Sequence, residues 1–276
     1  MSGNVSDHRR KNILPLVSTP LKFTLIIIGI VVVGVIAVMT FLFRGYTTTK
    51  ERVATDSSEE TSKVAANCEQ ISMQAPAELS KITTILYPGQ IRGGYYKAHG
   101  GFRFDTAQTN DVTVVAPMAA TVYEGSRYIE MGEVQYMFDF SAACDVDYRL
   151  DHLKTLSPKL QAAAEKLPAA KEGDSRTSRV SGVKVEVGEV LANEVGYTKR
   201  PDSAEPNVFF DLGVYDRRQQ NEKSRDSAWA KMHEREKRLA YYAVCWFDFL
   251  PAADAALIRS LPAGDSQSGK TSDFCT

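Results

Sequence analysis

The sequence predicts a mainly β domain with helices at its C-terminal end, preceded by one transmembrane helix. Three observations support this fold class: an uncharged apolar run near the N-terminus, short β-branched or aromatic segments between turn residues, and C-terminal segments with helix start and stop residues. The 276 residues are 43% apolar and 24% charged, which is typical of a globular protein. The 33 Lys and Arg residues balance 34 Asp and Glu residues, and without a basic block the chain is not expected to bind nucleic acid.

The transmembrane prediction depends on residues 23–43, a run of 21 residues without a charge. A helix of that length spans about 30 Å, the thickness of the hydrocarbon core of a bilayer. A cleaved signal peptide is the alternative, but its apolar region is usually shorter and ends at a small-residue cleavage site. Arg44, Gly45 and Tyr46 follow the run instead, so we predict an uncleaved membrane anchor.

The orientation of the anchor is predicted from the flanking cations and from the cysteines. Four Lys or Arg residues precede the run and three follow it closely, which favours a cytoplasmic N-terminus at residues 1–22. All four cysteines follow the run, and an even number on one side is typical of an oxidising compartment. Four buried free thiols are the alternative. We therefore predict a single-pass membrane protein whose residues 44–276 lie outside the cytoplasm.

Composition distinguishes a stalk and a β domain after the anchor. Residues 44–67 are rich in Ser, Thr and Glu and predict a polar stalk. Residues 68–222 predict the β domain, with a short helix at 157–167 that begins with Ser157 and Pro158. Its expected strands are residues 112–116, 121–124, 135–140, 148–153, 182–187, 189–193 and 208–215.

Residues 223–276 predict a helical segment that packs on the β domain. Residues 223–239 carry nine charged side chains and are expected to form a solvated helix, whereas residues 241–250 are apolar and must be buried. Residues 251–261 predict another helix. We expect a disulfide between Cys245 and Cys275, because the terminal tail has little else to hold it, and Cys68 and Cys144 then pair by elimination.

Five motifs occur in order along the β domain. They are His99-Gly-Gly-Phe-Arg-Phe, APMAATVYEG at 116–125, YRLDHL at 148–153, VKVEVGEVLANEVG at 183–196 and NVFFDLG at 207–213. In this order the motifs resemble those of the lysostaphin/LytM-type zinc endopeptidases of the cell wall, over residues 93–216. The resemblance implies the fold of that family, a barrel-sandwich called the duplicated hybrid motif.

The resemblance also implies where a metal site would lie. The family holds zinc with a His, an Asp four residues later and the second His of a His-x-His pair, while a Tyr-x-His-Leu histidine and the first His of the pair assist the water. His99 matches the first ligand and His152 the Tyr-x-His-Leu histidine. Arg103 and Phe209 replace the other two ligands, and Asn207 replaces the remaining histidine. The resemblance therefore implies a degenerate site with no catalytic residue and no metal.

Three acids near these positions, Asp105, Asp151 and Asp211, are candidate supporting residues. Asp105 can replace the lost ligand only if its strand bulges just before it. Arg103 either faces the substrate groove, where it would receive a carboxylate, or pairs with Asp211 or another internal acid.

Each surviving histidine also has a purely structural interpretation. His152 is expected to be half-buried and bonded to Asp151 or to a carbonyl group. His99 is expected to lie in a loop beside Gly100 and Gly101, a pair that most often marks a tight turn.

The leading functional hypothesis is a catalytically inactive, membrane-anchored envelope domain that binds a cell-wall peptide or an envelope protein and needs no cofactor. An active cell-wall metalloendopeptidase with zinc on rearranged ligands is the alternative, and a structural domain whose groove binds nothing is a third hypothesis. The APMAATV segment also resembles lipoyl and biotinyl carrier domains, but the exposed hairpin lysine of those domains has no counterpart in the chain.

The predicted topology can be tested on the full-length chain in cells. Protease added from outside, after any outer barrier is opened, should digest residues 44–276 and leave a fragment that contains residues 1–43, because only the anchor and the N-terminus are shielded. A cytoplasmic marker protein controls for cell lysis. Complete protection of the large domain would reverse the predicted orientation.

Overall fold

The computed structural model describes Cys68, residues 71–199 and residues 206–276. The predicted cytoplasmic segment, transmembrane run and stalk lie outside these residues. Within them, no helix is long and apolar enough to cross a membrane. The described part of the chain is mainly β, as the sequence predicts.

Twelve strands occur in the described residues, and most are short. Their bounds are β1 (Thr84–Leu86), β2 (Gln90–Arg92), β3 (Tyr95–Lys97), β4 (Gly100–Phe104), β5 (Val114–Val115), β6 (Ala120–Glu130), β7 (Glu133–Ala142), β8 (Val146–Leu153), β9 (Ser178–Val185), β10 (Val190–Ala192), β11 (Gly196–Lys199) and β12 (Pro206–Asp216). The predicted strands from residue 112 onward fall on β5 to β10 and on β12. The sequence pattern did not identify β1 to β4 or β11 as strands.

An eight-stranded antiparallel sheet is the main feature of the fold. Its order is β1-β4-β12-β8-β7-β6-β9, with β11 also paired to β12. The hairpin of β2 and β3 and the pair of β5 and β10 form two small separate sheets. Strand β12 is the centre of the main sheet, because it pairs with β4 through residues 208–212 and with β8 through residues 211–216.

The two faces of β4 and β12 differ in chemistry. Side chains alternate between the faces of a strand, so Phe102 and Phe104 point one way and Arg103 points the other. The apolar face carries fully buried side chains such as Phe102, Phe210 and Leu212. The opposite, polar face holds the candidate site.

In the residues that the structure describes, four helices and several turns of 3-10 helix follow or cover the sheet. The helices are α1 (Pro158–Ala164), α2 (Ser227–Met232), α3 (Lys237–Ala240) and α4 (Ala252–Ser260). Residues 223–239 do not form the single helix expected from their charge; they break into α2, α3 and two 3-10 turns. One physical reason is that Asp226 caps a new helix, since its side chain accepts hydrogen bonds from the backbone N–H groups of Ala228 and Trp229.

The C-terminal segment completes the core, as predicted for residues 241–250. Trp246 and Phe247 are fully buried and belong to the same apolar cluster as Phe102 and Phe210. A second small cluster joins Tyr215 of the central strand to Ala240 and Ala243.

Both disulfides expected from the sequence are present. Cys245 bonds to Cys275 across 30 residues, and Cys68 bonds to Cys144 across 76 residues. The tail is also held by hydrogen bonds to the β2 region, because Asp273 N–H donates to the carbonyl of Gly89 and the Ser272 hydroxyl donates to the carbonyl of Pro88. The terminus therefore forms part of the folded domain.

We expect Cys275→Ser to lower the free energy of unfolding by about 3–4 kcal/mol, because closing a loop of this length restricts the unfolded chain by that amount in the chain-entropy model. Denaturant unfolding of the full-length chain measures the loss. The double variant Cys245→Ala/Cys275→Ser should lose about as much as the single one, since either change breaks the same bond. An unchanged midpoint for Cys275→Ser would mean that the bond does not form in solution.

Candidate functional site

The candidate site is built around Asp211 on the polar face of β12. Its Oδ2 atom lies 3.0 Å from Nε2 of His99, which immediately precedes β4, and 3.9 Å from Nε2 of His152 on β8. The pairings of β12 with β4 and β8 bring these three side chains together, since Asp211 lies opposite both Gly101 and Asp151. The two histidines that match the family pattern are thus both close to one carboxylate.

Asp211 is ionised in this setting. Burial on its own would raise the pKa of the carboxyl, but His99, His152 and Arg92 outweigh that effect and hold it well below its usual range. Burial lowers the pKa of His99, although Asp211 acts in the opposite direction. At neutral pH we therefore describe the pair as a neutral imidazole that donates Nε2–H to a buried carboxylate.

Gly101 makes room for this carboxylate. A Cβ atom at position 101 would overlap Oδ1 of Asp211 and would also crowd the backbone oxygen of Phe210. The sequence led us to expect a tight turn at the glycine pair, and this expectation is wrong. Both glycines lie within β4, where close packing requires the absence of a side chain.

His152 reaches the same face through an irregular backbone. Its φ is 64°, a left-handed value that is uncommon outside glycine, and the pairing of β8 with β7 shifts register around it. Asp151 already points to the polar face in register with Asp211, so a regular strand would send the next side chain into the core. The bulge turns His152 back toward Asp211.

The His152 ring is held by partners that the sequence motifs did not reveal. Its Nδ1 atom lies 2.8 Å from Oε1 of Gln135 and 3.2 Å from the hydroxyl of Tyr128. That hydroxyl donates to Oδ1 of Asp151 at 2.6 Å, and the same oxygen accepts the backbone N–H of His152. The predicted link between His152 and Asp151 therefore runs through the backbone and through Tyr128. Burial, followed by the charge of Asp151, raises the pKa of Tyr128, so this phenol stays protonated.

Arg103 lies opposite Phe209, two residue pairs along β4 and β12 from Asp211. With the Asn207 amide oriented to satisfy its neighbours, its oxygen accepts hydrogen bonds from Nε and Nη1 of Arg103 at 3.1 and 3.2 Å, and its nitrogen donates to Oδ1 of Asp105 at 2.9 Å. Asn207 thus links the arginine to an acid. Asp211, one of the acids considered as a partner of Arg103, accepts a hydrogen bond from His99.

Asp105 does not lie at position 103 of the ladder, where the family pattern has its aspartate ligand. The pairing of β4 is regular through Arg103 and Phe104, without the bulge that such a replacement requires. Asp105 instead accepts a hydrogen bond of 2.6 Å from the hydroxyl of Thr83.

Phe209 packs against the ring of His152. Its ring centroid lies 4.3 Å from that of His152, and the residue is only 8% exposed. An apolar ring therefore packs at the position where the family pattern has a metal-binding imidazole.

The zinc ion that the LytM-type family holds does not fit these residues. Arg103 and Phe209 offer no lone pair at two of the three ligand positions. In the described part of the chain, no group of three or more His, Cys, Asp or Glu side chains is arranged to hold a metal ion. We derive no chemical step through a metal.

Comparisons with protein-family models, curated proteins and solved structures give no match. The likeness to LytM endopeptidases therefore depends on the motifs alone and stays a hypothesis.

A second charged cluster lies further along the polar face and attaches the C-terminal segment to the sheet. Arg149 of β8 donates two hydrogen bonds of 2.6 and 2.7 Å to the buried carboxylate of Asp139 on β7. Arg238 of α3 reaches the same carboxylate at 3.4 Å and Glu124 of β6 at 2.9 Å. The pKa of Arg149 is raised, because its bonds to Asp139 outweigh its own burial. This cluster is satisfied internally, so we assign it a structural role.

The state of His99 predicts how stability depends on pH. Its pKa is lowered in the folded state, whereas the pKa of a histidine in an unfolded chain is about 6.5. As the pH falls from 7 to 5, the unfolded chain takes up a proton more readily, so the free energy of unfolding should decrease by at most about 1.4 kcal/mol per pH unit from this group. His99→Gln keeps a hydrogen-bond donor near Asp211 but cannot titrate. The free energy of unfolding of this variant should therefore change less with pH, by the amount just given. Equal slopes for both proteins in urea unfolding between pH 5 and 7 would contradict the assignment.

Proposed function

We propose that this protein is a membrane-anchored, catalytically inactive LytM-like envelope domain that binds the carboxylate of a cell-wall peptide or of an envelope protein. In this proposal the β domain is a barrel-sandwich of the duplicated-hybrid-motif type, and the ligand lies on the polar face of β4, β12 and β8. The observation that carries the proposal is the replacement of metal ligands by Arg103 and Phe209 beside two retained histidines.

The placement of the motif residues supports this reading. Five positions that are far apart in the sequence lie on or next to three adjacent strands of one sheet; these are His99, Arg103, His152, Asn207 and Phe209. A set of unrelated motif matches would have no physical reason to meet on one face.

The retained histidines are oriented by internal partners. His99 directs Nε2 at Asp211, and His152 directs Nδ1 at Gln135. Such a contact on one nitrogen fixes the orientation and the tautomer of an imidazole and leaves its other nitrogen available. The proposal of an inactive domain therefore depends on Arg103 and Phe209 at two ligand positions of the family pattern.

The charge around the site favours an anionic ligand group. Arg92 is close enough to His99 and Asp211 to affect the pKa of both, Lys97 also affects the pKa of His99, and Arg103 lies within electrostatic range of Arg92. Asp211 and Asp265 are the acids within electrostatic range of Arg92. The planar guanidinium of an arginine such as Arg103 matches a carboxylate in geometry as well as in charge.

The alternative function is a metalloendopeptidase with rearranged ligands. One observation favours it: the Nε2 atoms of both His99 and His152 face the same oxygen of Asp211, at 3.0 and 3.9 Å. Metal analysis of the dialysed full-length chain separates the two functions, since stoichiometric zinc together with chelator-sensitive release of muropeptides would establish the enzyme.

Binding is tested with a pair of peptides that differ only at the C-terminus. We expect the full-length chain to bind a D-alanine-terminated stem peptide with a free carboxylate, and to bind its amidated twin at least about tenfold more weakly, because a charge-assisted contact of about 1.5–3 kcal/mol is lost. Calorimetry measures both. Arg103→Gln should abolish this preference, while Lys231→Gln, which removes an exposed cation on α2, should keep it. Equal affinity for both peptides would contradict the carboxylate proposal.

A further inference from the structure

We propose a second site, an oxyanion pocket that takes a phosphate group, at the edge of β6. A cavity of about 310 Å³ opens there between the strand and the loop that precedes β9. Ser126, Arg127, Lys171, Asp174, Arg176 and Thr177 are among the residues that line it. Neither the family motifs nor the proposed carboxylate site includes these residues.

The pocket is created by the pairing of β6 with its neighbours. Strand β9 pairs with β6 as far as Gly125 and Ser178. The preceding loop joins β6 again at Ile129, whose N–H donates to the carbonyl of Lys171 and whose carbonyl accepts the N–H of Gly173. Between these two attachments the chain stands away from Ser126 and Arg127. A gap framed by backbone hydrogen bonds on both sides is a fixed feature of the sheet edge.

Positive charge dominates the lining. Arg127, Lys171 and Arg176 contribute three cations, whereas Asp174 is the acid in the lining. Arg127 is held in place by the carbonyls of Leu167 and Pro168, each at 3.3 Å from one of its nitrogens. Among the described residues, Lys171 has no ion-pair partner at salt-bridge distance. Two cationic charges therefore remain after Arg176 and Asp174 compensate each other.

The acid of the lining, Asp174, is compensated by its neighbour Arg176. Arg176 donates to both of its oxygens, at 2.7 and 2.6 Å, and these bonds lower the pKa of Asp174 to about 2, with a further contribution from Lys171. This pair uses the planar fork of Arg176. The charges left for a ligand come from Arg127 and Lys171, on separate parts of the lining.

The charge left in the lining selects the ligand class. Arg127 and Lys171 contribute two positive charges that no carboxylate of the lining compensates. A phosphate group carries close to two negative charges near neutral pH and offers oxygens in several directions, so one ion can contact both cations. A carboxylate brings one charge and two oxygens in one plane. This argument selects phosphate as the ligand class.

The experiment is a calorimetric titration of the full-length chain with inorganic phosphate, glycerol 3-phosphate and acetate at constant ionic strength. We expect saturable binding of one phosphate per chain, with acetate weaker by at least about fivefold. Equal affinities for the two phosphates would assign the free ion as ligand, and tighter binding of glycerol 3-phosphate would assign a phosphomonoester. Binding that does not saturate, or acetate that binds as well as phosphate, overturns the proposal.

Three variants separate a site from a general effect of charge. Lys171→Gln should weaken phosphate binding at least about fivefold, whereas Lys231→Gln makes the same change of charge on α2 and should have no effect. Asp174→Asn removes the competing carboxylate and should strengthen binding, which a merely structural role for that residue does not predict. Circular dichroism verifies that each variant is folded. Equal affinity of the wild type and a folded Lys171→Gln variant refutes the pocket.

Discussion

The candidate site depends on one buried carboxylate. An ionised Asp211 that is only 7% exposed costs several kcal/mol of desolvation unless the surrounding groups compensate it. His99 provides a hydrogen bond, Gly101 omits the side chain that would collide with it, and the bulge at His152 brings a second imidazole near. These features are otherwise unrelated in the sequence. Each becomes understandable as part of the environment that keeps one charge on the polar face of the central strand.

The same carboxylate separates two halves of the polar face with different chemistry. On one side, Gln135 and Tyr128 fix the orientation of the His152 ring. On the other side, Arg103 and Asn207 present a cation and an amide beside the ring of Phe209. In the function proposed above, this surface would hold a charged group in one orientation.

The sequence predicted the longer strands of the sheet, because β6, β7, β8 and β12 are rich in β-branched and aromatic residues with clear turn residues between them. It did not predict β1 to β4, and for β4 the reason is that Gly100 and Gly101 were interpreted as a tight turn. Asp211 was recognised as a supporting acid, but its partner could not be chosen without the register of β4 against β12. Tyr128 and Gln135 belong to no motif, and only their direct pairing across the β6–β7 hairpin, beside the bulge in β8, brings them to His152.

The position of β12 in the sheet has a consequence for biosynthesis. This strand, residues 206–216, fills the gap between β4 and β8, which leave the ribosome much earlier. Until it arrives, two strand edges stay open, and open edges are where polypeptides associate wrongly with one another. The topology therefore imposes a high contact order, so the sheet closes late and slowly. A nascent chain displays none of the assembled site, and protection by a chaperone would be most valuable just before this strand is added.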